Sequence, residues 1–101
     1  MSTVVFGDFE WDASKAASNA AKHGVTFEEA ASVFLDPGYL LVGDSSYRER
    51  FVALGYSSIA RLLFVVHVER GVRVRIISAR RATRKETRSY ERRQDPDDGA
   101  Q

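Results

Sequence analysis

The chain has no cysteine among its 101 residues. That absence removes disulfides, thiolate nucleophiles and cysteine-based zinc sites at once. Histidine is nearly as scarce. His23 and His67 stand far apart with no carboxylate at ligand spacing beside either, so no metal centre is expected. Neither GxGxxG nor GxxxxGK occurs, and no serine sits on a strand-to-helix elbow, which leaves no nucleotide-binding loop and no Ser-His-Asp arrangement. No cofactor is expected. No apolar run approaches the ~20 residues of a bilayer span. Residues 1–7 lack a basic start and a long apolar stretch, so a signal peptide is not expected and a cytoplasmic protein is.

What is present is arginine, and it is concentrated. Residues 61–93 hold eleven Lys/Arg against three acids, a local net of +8, whereas residues 1–60 carry a net of −4 and the last eight residues −3. The whole-chain net of +1 hides this polarity. Clustered guanidinium groups on a folded scaffold are a footprint for phosphate, which their planar forks grip better than a lysine does. A solvated basic helix would account for Arg84 to Arg93. It does not account for Arg73 and Arg75, which alternate with strand-forming residues.

At 101 residues, 44% of them hydrophobic, the chain has the size and composition of a single globular domain. That domain is expected over residues 1–93, followed by an acidic, disordered tail over 94–101. Val4 to Phe9 reads as a first strand. Asp12 caps a helix whose Ala13, Ala16, Ala17, Ala20 and Ala21 form a stripe for close packing, and Gly24 ends it. Thr26 and Glu29 spell a capping box for a second helix to about Leu35, stopped by Asp36-Pro37-Gly38. Four strands follow: Tyr39 to Val42, Arg50 to Tyr56, Leu62 to Glu69 and Val72 to Ala79, the last two joined by a hairpin at Arg70-Gly71. Thr83 to Glu86 is a second capping box, opening a last helix to about Arg93. The order β-α-α-β-β-β-β-α implies an α+β fold with a mostly antiparallel sheet, helices packed on one face and the other face open.

His67 and Arg75 are the polar residues that interrupt the long apolar strands. An odd hairpin loop would set His67 across from Arg75 on the open face, and a two- or four-residue loop would set it across from Val74. A lone histidine on an apolar strand is as readily a packed core side chain. Arg75 must find an anion or the protein rim. What emerges is an arginine-dominated site suited to stabilising charge on a phosphate.

The blocks Phe9-Glu10-Trp11-Asp12, Lys22-His23-Gly24-Val25, Phe27-Glu28-Glu29-Ala30, Glu49-Arg50-Phe51, Glu69-Arg70-Gly71 and Arg75-Ile76-Ile77-Ser78-Ala79-Arg80-Arg81-Ala82-Thr83 stand in this order along the chain. Together they resemble the BrnT family of bacterial type II toxins. The resemblance implies a RelE-like ribonuclease fold and a toxin that arrests translation and growth by cutting RNA. It implies metal-independent attack of a 2′-hydroxyl to leave a cyclic phosphate, with Arg75 and Arg80 on the phosphate, Glu49 and Arg50 on the neighbouring strand, and Glu49 or His67 moving protons. It also implies a BrnA-type ribbon-helix-helix antitoxin, with operator DNA reached only through that partner. Two other readings compete: a non-catalytic RNA- or DNA-binding module, and a protein-interaction domain using the basic 61–93 surface.

Overall fold

A computed structural model describes residues 2–95. Its elements are β1 (Thr3–Phe6), β2 (Phe9–Asp12), α1 (Ala13–His23), α2 (Phe27–Ser32) extended by a 3-10 turn (Val33–Leu35), β3 (Leu40–Gly43), β4 (Arg50–Tyr56), β5 (Leu62–Arg70), β6 (Arg73–Arg81) and α3 (Arg84–Gln94). The α+β expectation holds. Within the tail expected over 94–101, Gln94 still belongs to α3, and residues 96–101 lie outside the described residues.

The expected first strand is a hairpin. Gly7 takes φ 61°, the left-handed conformation that a glycine-first two-residue turn requires, and the chain folds so that Phe6 pairs with Phe9. The helix punctuation is as read at both ends of α1. The Asp12 carboxylate accepts from the Lys15 N–H, and Gly24, at φ 68°, donates to the Ala20 carbonyl. Thr83 and Glu86 form the full reciprocal box on α3. The Thr26 box is only half made. Thr26 accepts from the Glu29 N–H, but the Glu29 carboxylate turns away to Arg61 and Ser57, because a guanidinium and a hydroxyl offer it more than one backbone amide does.

One six-stranded sheet runs in the order β1-β2-β6-β5-β4-β3. All pairings are antiparallel except β2 with β6, which are parallel over Phe9–Val74 and Glu10–Arg75. The β5–β6 loop is the two residues Gly71 and Val72, and it sets His67 opposite Ile76. Neither register considered from the sequence, Arg75 or Val74, is the observed one. A bulge then intervenes: Val66 faces Ser78, so Ile77 has no partner on β5, and the inward side of β6 shifts from Ile76 to Ala79.

On one face α1, α2 and the 3-10 turn bury Trp11, Val25, Phe27, Val33, Ala53, Leu63, Val65, Ile76 and Ala79. The aromatic anchors meet edge-on, with Trp11 and Phe27 5.8 Å apart between ring centres. α1 and α2 pack together on this face, as expected of the helices. The alternate residues of β4 and β5, Leu54, Leu62 and Phe64, point to the other face and need cover of their own. α3 supplies it through Tyr90. Tyr90 also donates to Asp36, which accepts from the Tyr56 and Gly38 N–H groups as well, so α3 is tied to the end of the sheet. Burial and this bond raise the Tyr90 hydroxyl pKa.

Candidate functional site

Beyond α3, the second face of the sheet stays open, and register decides what lines it. Directly paired residues share a face. The pairs Arg50–Val68, Val68–Arg75 and Arg75–Glu10 therefore form one cross-strand row. Arg50 and Arg75 are two strands apart, about 10 Å at the usual spacing. The next row is Val52–Val66–Ser78, and the one after is Leu54–Phe64–Arg80, at the foot of α3.

Arg75 and Arg80 are both occupied by carboxylates, in different ways. Arg75 Nη1 donates to Glu10 Oε2 at 2.6 Å, one contact from a guanidinium that keeps four other N–H donors. Arg80 is used up. Its two terminal nitrogens each donate to one Glu86 oxygen at 2.9 Å, Nη1 also donates to the Arg81 carbonyl, and the guanidinium lies 3.9 Å over the Phe64 ring. Glu86 meanwhile accepts from the Thr83 N–H as part of the capping box. The Arg80 bond is the chief reason that the Glu86 carboxyl sits below its ordinary pKa.

Arg50 lies 4.1 Å over the ring of Tyr47, itself exposed. Glu49 is in the turn before β4 and exposed. The structure thus brings Arg50, Arg75 and Arg80, three of the residues singled out from the sequence, to one face, with Glu49 next to Arg50 in the chain. His67 is elsewhere. It is 4% exposed on the helix-covered face, edge-on to Phe34 at 4.9 Å, stacked near Phe51, with Nδ1 3.3 Å from the Val65 carbonyl. Burial depresses its pKa, which keeps the ring neutral. The odd-loop register that would have carried it to Arg75 does not occur.

Glu10 was missed. It lay in a block read only as strand and helix start, and nothing local announces that β2 runs parallel beside β6. Arg61, counted in the basic cluster, proves to be a strut: it binds the Glu29 carboxylate and donates to the Gly24 carbonyl, joining the β4–β5 turn to the helices.

An open sheet face bearing half-buried arginines held in place by carboxylates has the chemistry to bind a polyanion. The model of the ribonuclease toxin BrnT of type II toxin–antitoxin systems matches residues 11–86. The chain belongs to this family, and so to the ribonuclease toxins that work opposite an antitoxin and act on RNA. The fold is similar to that of the Brucella abortus ribonuclease toxin BrnT, whose crystal structure was solved at 1.1 Å. The TM-score is 0.61 at 23% identity, over 73% of this chain and 94% of that one. No curated protein matches the sequence. Among the described residues, no helix is long and apolar enough to cross a membrane.

Proposed function

We propose that residues 1–93 form a single RelE-like toxin domain, a metal-independent endoribonuclease whose cutting of RNA arrests translation and growth. The observation that carries this reading is the row Arg50–Val68–Arg75–Glu10 on the open face. In the reaction the 2′-oxygen bonds to the adjacent phosphorus and the bond to the 5′-oxygen breaks. The products are a 2′,3′-cyclic phosphate and a 5′-hydroxyl. The Arg75 fork donates to the non-bridging oxygens, and its charge stabilises the dianionic transition state. As Arg75 turns to the phosphate it gives up Glu10, which is then beside the reacting 2′-hydroxyl and takes its proton, while the departing 5′-oxygen takes a proton from water. Glu49, exposed and next to Arg50 in the chain, is the second carboxylate of the proposed site, and Arg50 holds the backbone.

Arg80 lies about 13 Å from Arg75, four residues of β5 at ~3.3 Å each. With its donors committed to Glu86, it acts as a positioning residue that holds α3 at the edge of the trough. His67 takes no part. Cleavage of a defined RNA by the purified protein is the test. The expected result is cutting that survives EDTA and leaves cyclic or 3′-phosphate ends. An EDTA-sensitive activity or 5′-phosphate ends would overturn the mechanism, and binding without cutting would favour a non-catalytic module.

The antitoxin is proposed to be a BrnA-type ribbon-helix-helix protein that reaches operator DNA itself and covers the exposed Arg84, Lys85, Arg88, Arg92 and Arg93 of α3 with an acidic surface. Steering by surface charge is screened over roughly 8–10 Å at physiological ionic strength, so association is expected to slow as salt rises. Stopped-flow mixing across a salt series checks this. A salt-independent on-rate would move the partner to an apolar surface.

A further inference from the structure

β6 has a strand neighbour on its outer edge only at Val74 and Arg75. Beyond them α1 takes the place of a strand. The Asn19 side chain, 7% exposed, stands in for the missing ladder: its Nδ2 donates to the Ala79 carbonyl and the Ala79 N–H donates to its Oδ1. Nδ2 also donates to the Val25 carbonyl, so the amide is locked. Between this lock and the β6 bulge a cleft of about 290 Å³ opens, lined by Ser14, Lys15, Ser18, Asn19, Lys22, His23, Ile77 and Ser78.

No carboxylate lines this cleft. The nearest that touches a lining residue is Asp12, buried and already accepting from Ser14 Oγ and the Lys15 N–H as the α1 cap. Among the described residues neither Lys15 nor Lys22 makes a direct ion pair, whereas Arg61, Arg75 and Arg80 are all paired. The Ser14 hydrogen bond and, more weakly, the Lys15 charge hold the Asp12 carboxyl below its ordinary range. Two exposed lysines on a helix are ordinarily just solvated. Here they rim a concave site floored by a locked amide and furnished with the hydroxyls of Ser18 and Ser78 and the ring of His23. Ser78 also sits in the row between Arg75 and Arg80, so the cleft opens beside the strand that carries both.

We propose that this cleft is a second phosphodiester site, which holds the single-stranded RNA backbone next to the bond cut at Arg75. Lys15 and Lys22 supply the charge, and Ser18, Ser78 and His23 the hydrogen bonds. The inference rests on the ribonuclease reading above. RNA leaving the Arg75 row runs along the β6 edge into cations that need displace no carboxylate, while Arg75 itself must first release Glu10. The cleft therefore contributes mainly to binding and the Arg75 row mainly to the chemical step.

The test is binding of a fully 2′-O-methylated single-stranded oligonucleotide, which this mechanism cannot cut, followed by fluorescence anisotropy over a salt series. Each phosphate contact on a single strand contributes a slope of about −0.7 in log K against log salt. The double variant Lys15→Gln/Lys22→Gln is expected to lose about 1.4 of that slope. In single-turnover cleavage of unmodified RNA it should raise the half-saturating protein concentration while keeping most of the saturated rate. Arg92→Gln/Arg93→Gln, the same charge change at the far end of α3, is expected to leave the slope nearly unchanged. If wild type binds and cuts RNA but the lysine double variant keeps its slope, or loses no more than the α3 variant, the cleft is not a phosphate site. If wild type neither binds nor cuts, the ribonuclease reading fails and the cleft falls with it.

Discussion

Two arginine–glutamate pairs stand on the same side of β6, one at each end. Arg75–Glu10 is a single contact between adjacent parallel strands, and four guanidinium donors remain for something else. Arg80–Glu86 is bidentate, stacked on Phe64 and built into the cap that starts α3. The residue types are the same and the separation along β5 is four residues. What differs is how many obligations each pair has. A pair with one obligation can exchange it for a ligand. A pair with four holds the fold.

The largest effect expected from this contrast is at Arg75. Arg75→Ala should lower RNA cleavage by ~10²–10³, the range for losing one preorganised donor to a transition-state oxyanion. Its melting temperature should fall but the domain should stay folded, since only one contact is lost, although the side chains are just 20% and 13% exposed and Glu10 is left without its partner. Arg75→Lys should recover only part of the rate, because a point charge replaces a fork. If Arg75→Ala unfolds the domain, the contrast is wrong and Arg75 is structural. Glu10→Gln, which keeps a hydrogen-bond acceptor for Arg75 but cannot take a proton, should lower the cleavage rate by ~10²–10⁴, the range for losing one proton-transfer group.

Arg80→Ala should break the comparison in the other direction. It removes a bidentate pair, a cation–π contact and support for a helix cap, together about 1–3 kcal/mol. For a domain of this size that lowers the melting temperature by roughly 4–8 °C per kcal/mol. Activity measured well below the transition should fall less than in Arg75→Ala. Tyr90→Phe, which frees Asp36 from α3, should cost about 1 kcal/mol and leave cleavage nearly intact. An Arg80→Ala protein of wild-type stability and no activity would return Arg80 to the phosphate.

Most of the fold was legible because it is written locally. Asp12 and Gly24 bracket α1, Thr83 and Glu86 open α3, and the Gly71 hairpin joins the two longest strands. The site was legible as residue types but not as an arrangement. Whether His67 meets Arg75 depends on loop parity, and whether Arg80 shares the face of Arg75 depends on a bulge at Ile77; neither is a property of the residues beside them. Glu10 meets Arg75 across 65 residues of chain through a parallel pairing that no turn announces. The unpaired state of Lys15 and Lys22 was equally hidden, because sequence counts charges without saying which are neutralised.

His67 gives the smallest effect and sharpens the comparison from the opposite face. Burial holds its folded pKa below the ordinary 6.5. In the unfolded chain the ring takes a proton near that value, while in the folded protein it resists. The stability it supports is therefore complete above pH ~6.5 and is lost as pH falls from there through the folded pKa, with a slope of at most ~1.4 kcal/mol per pH unit. The lowered carboxylates, Asp12, Glu29, Asp36 and Glu86, act with the same sign but in the carboxylate range. His67→Phe keeps a ring between Phe34 and Phe51 and removes the titration. Urea midpoints at a series of pH values should then show wild type weakening just below neutrality and the variant holding until the carboxylates protonate. Cleavage at pH 7.5 should be within about threefold of wild type, since no proton-transfer group worth ~10²–10⁴ has been removed. A folded His67→Phe protein that has lost a hundredfold in rate would mean that the covered face reaches the chemistry after all.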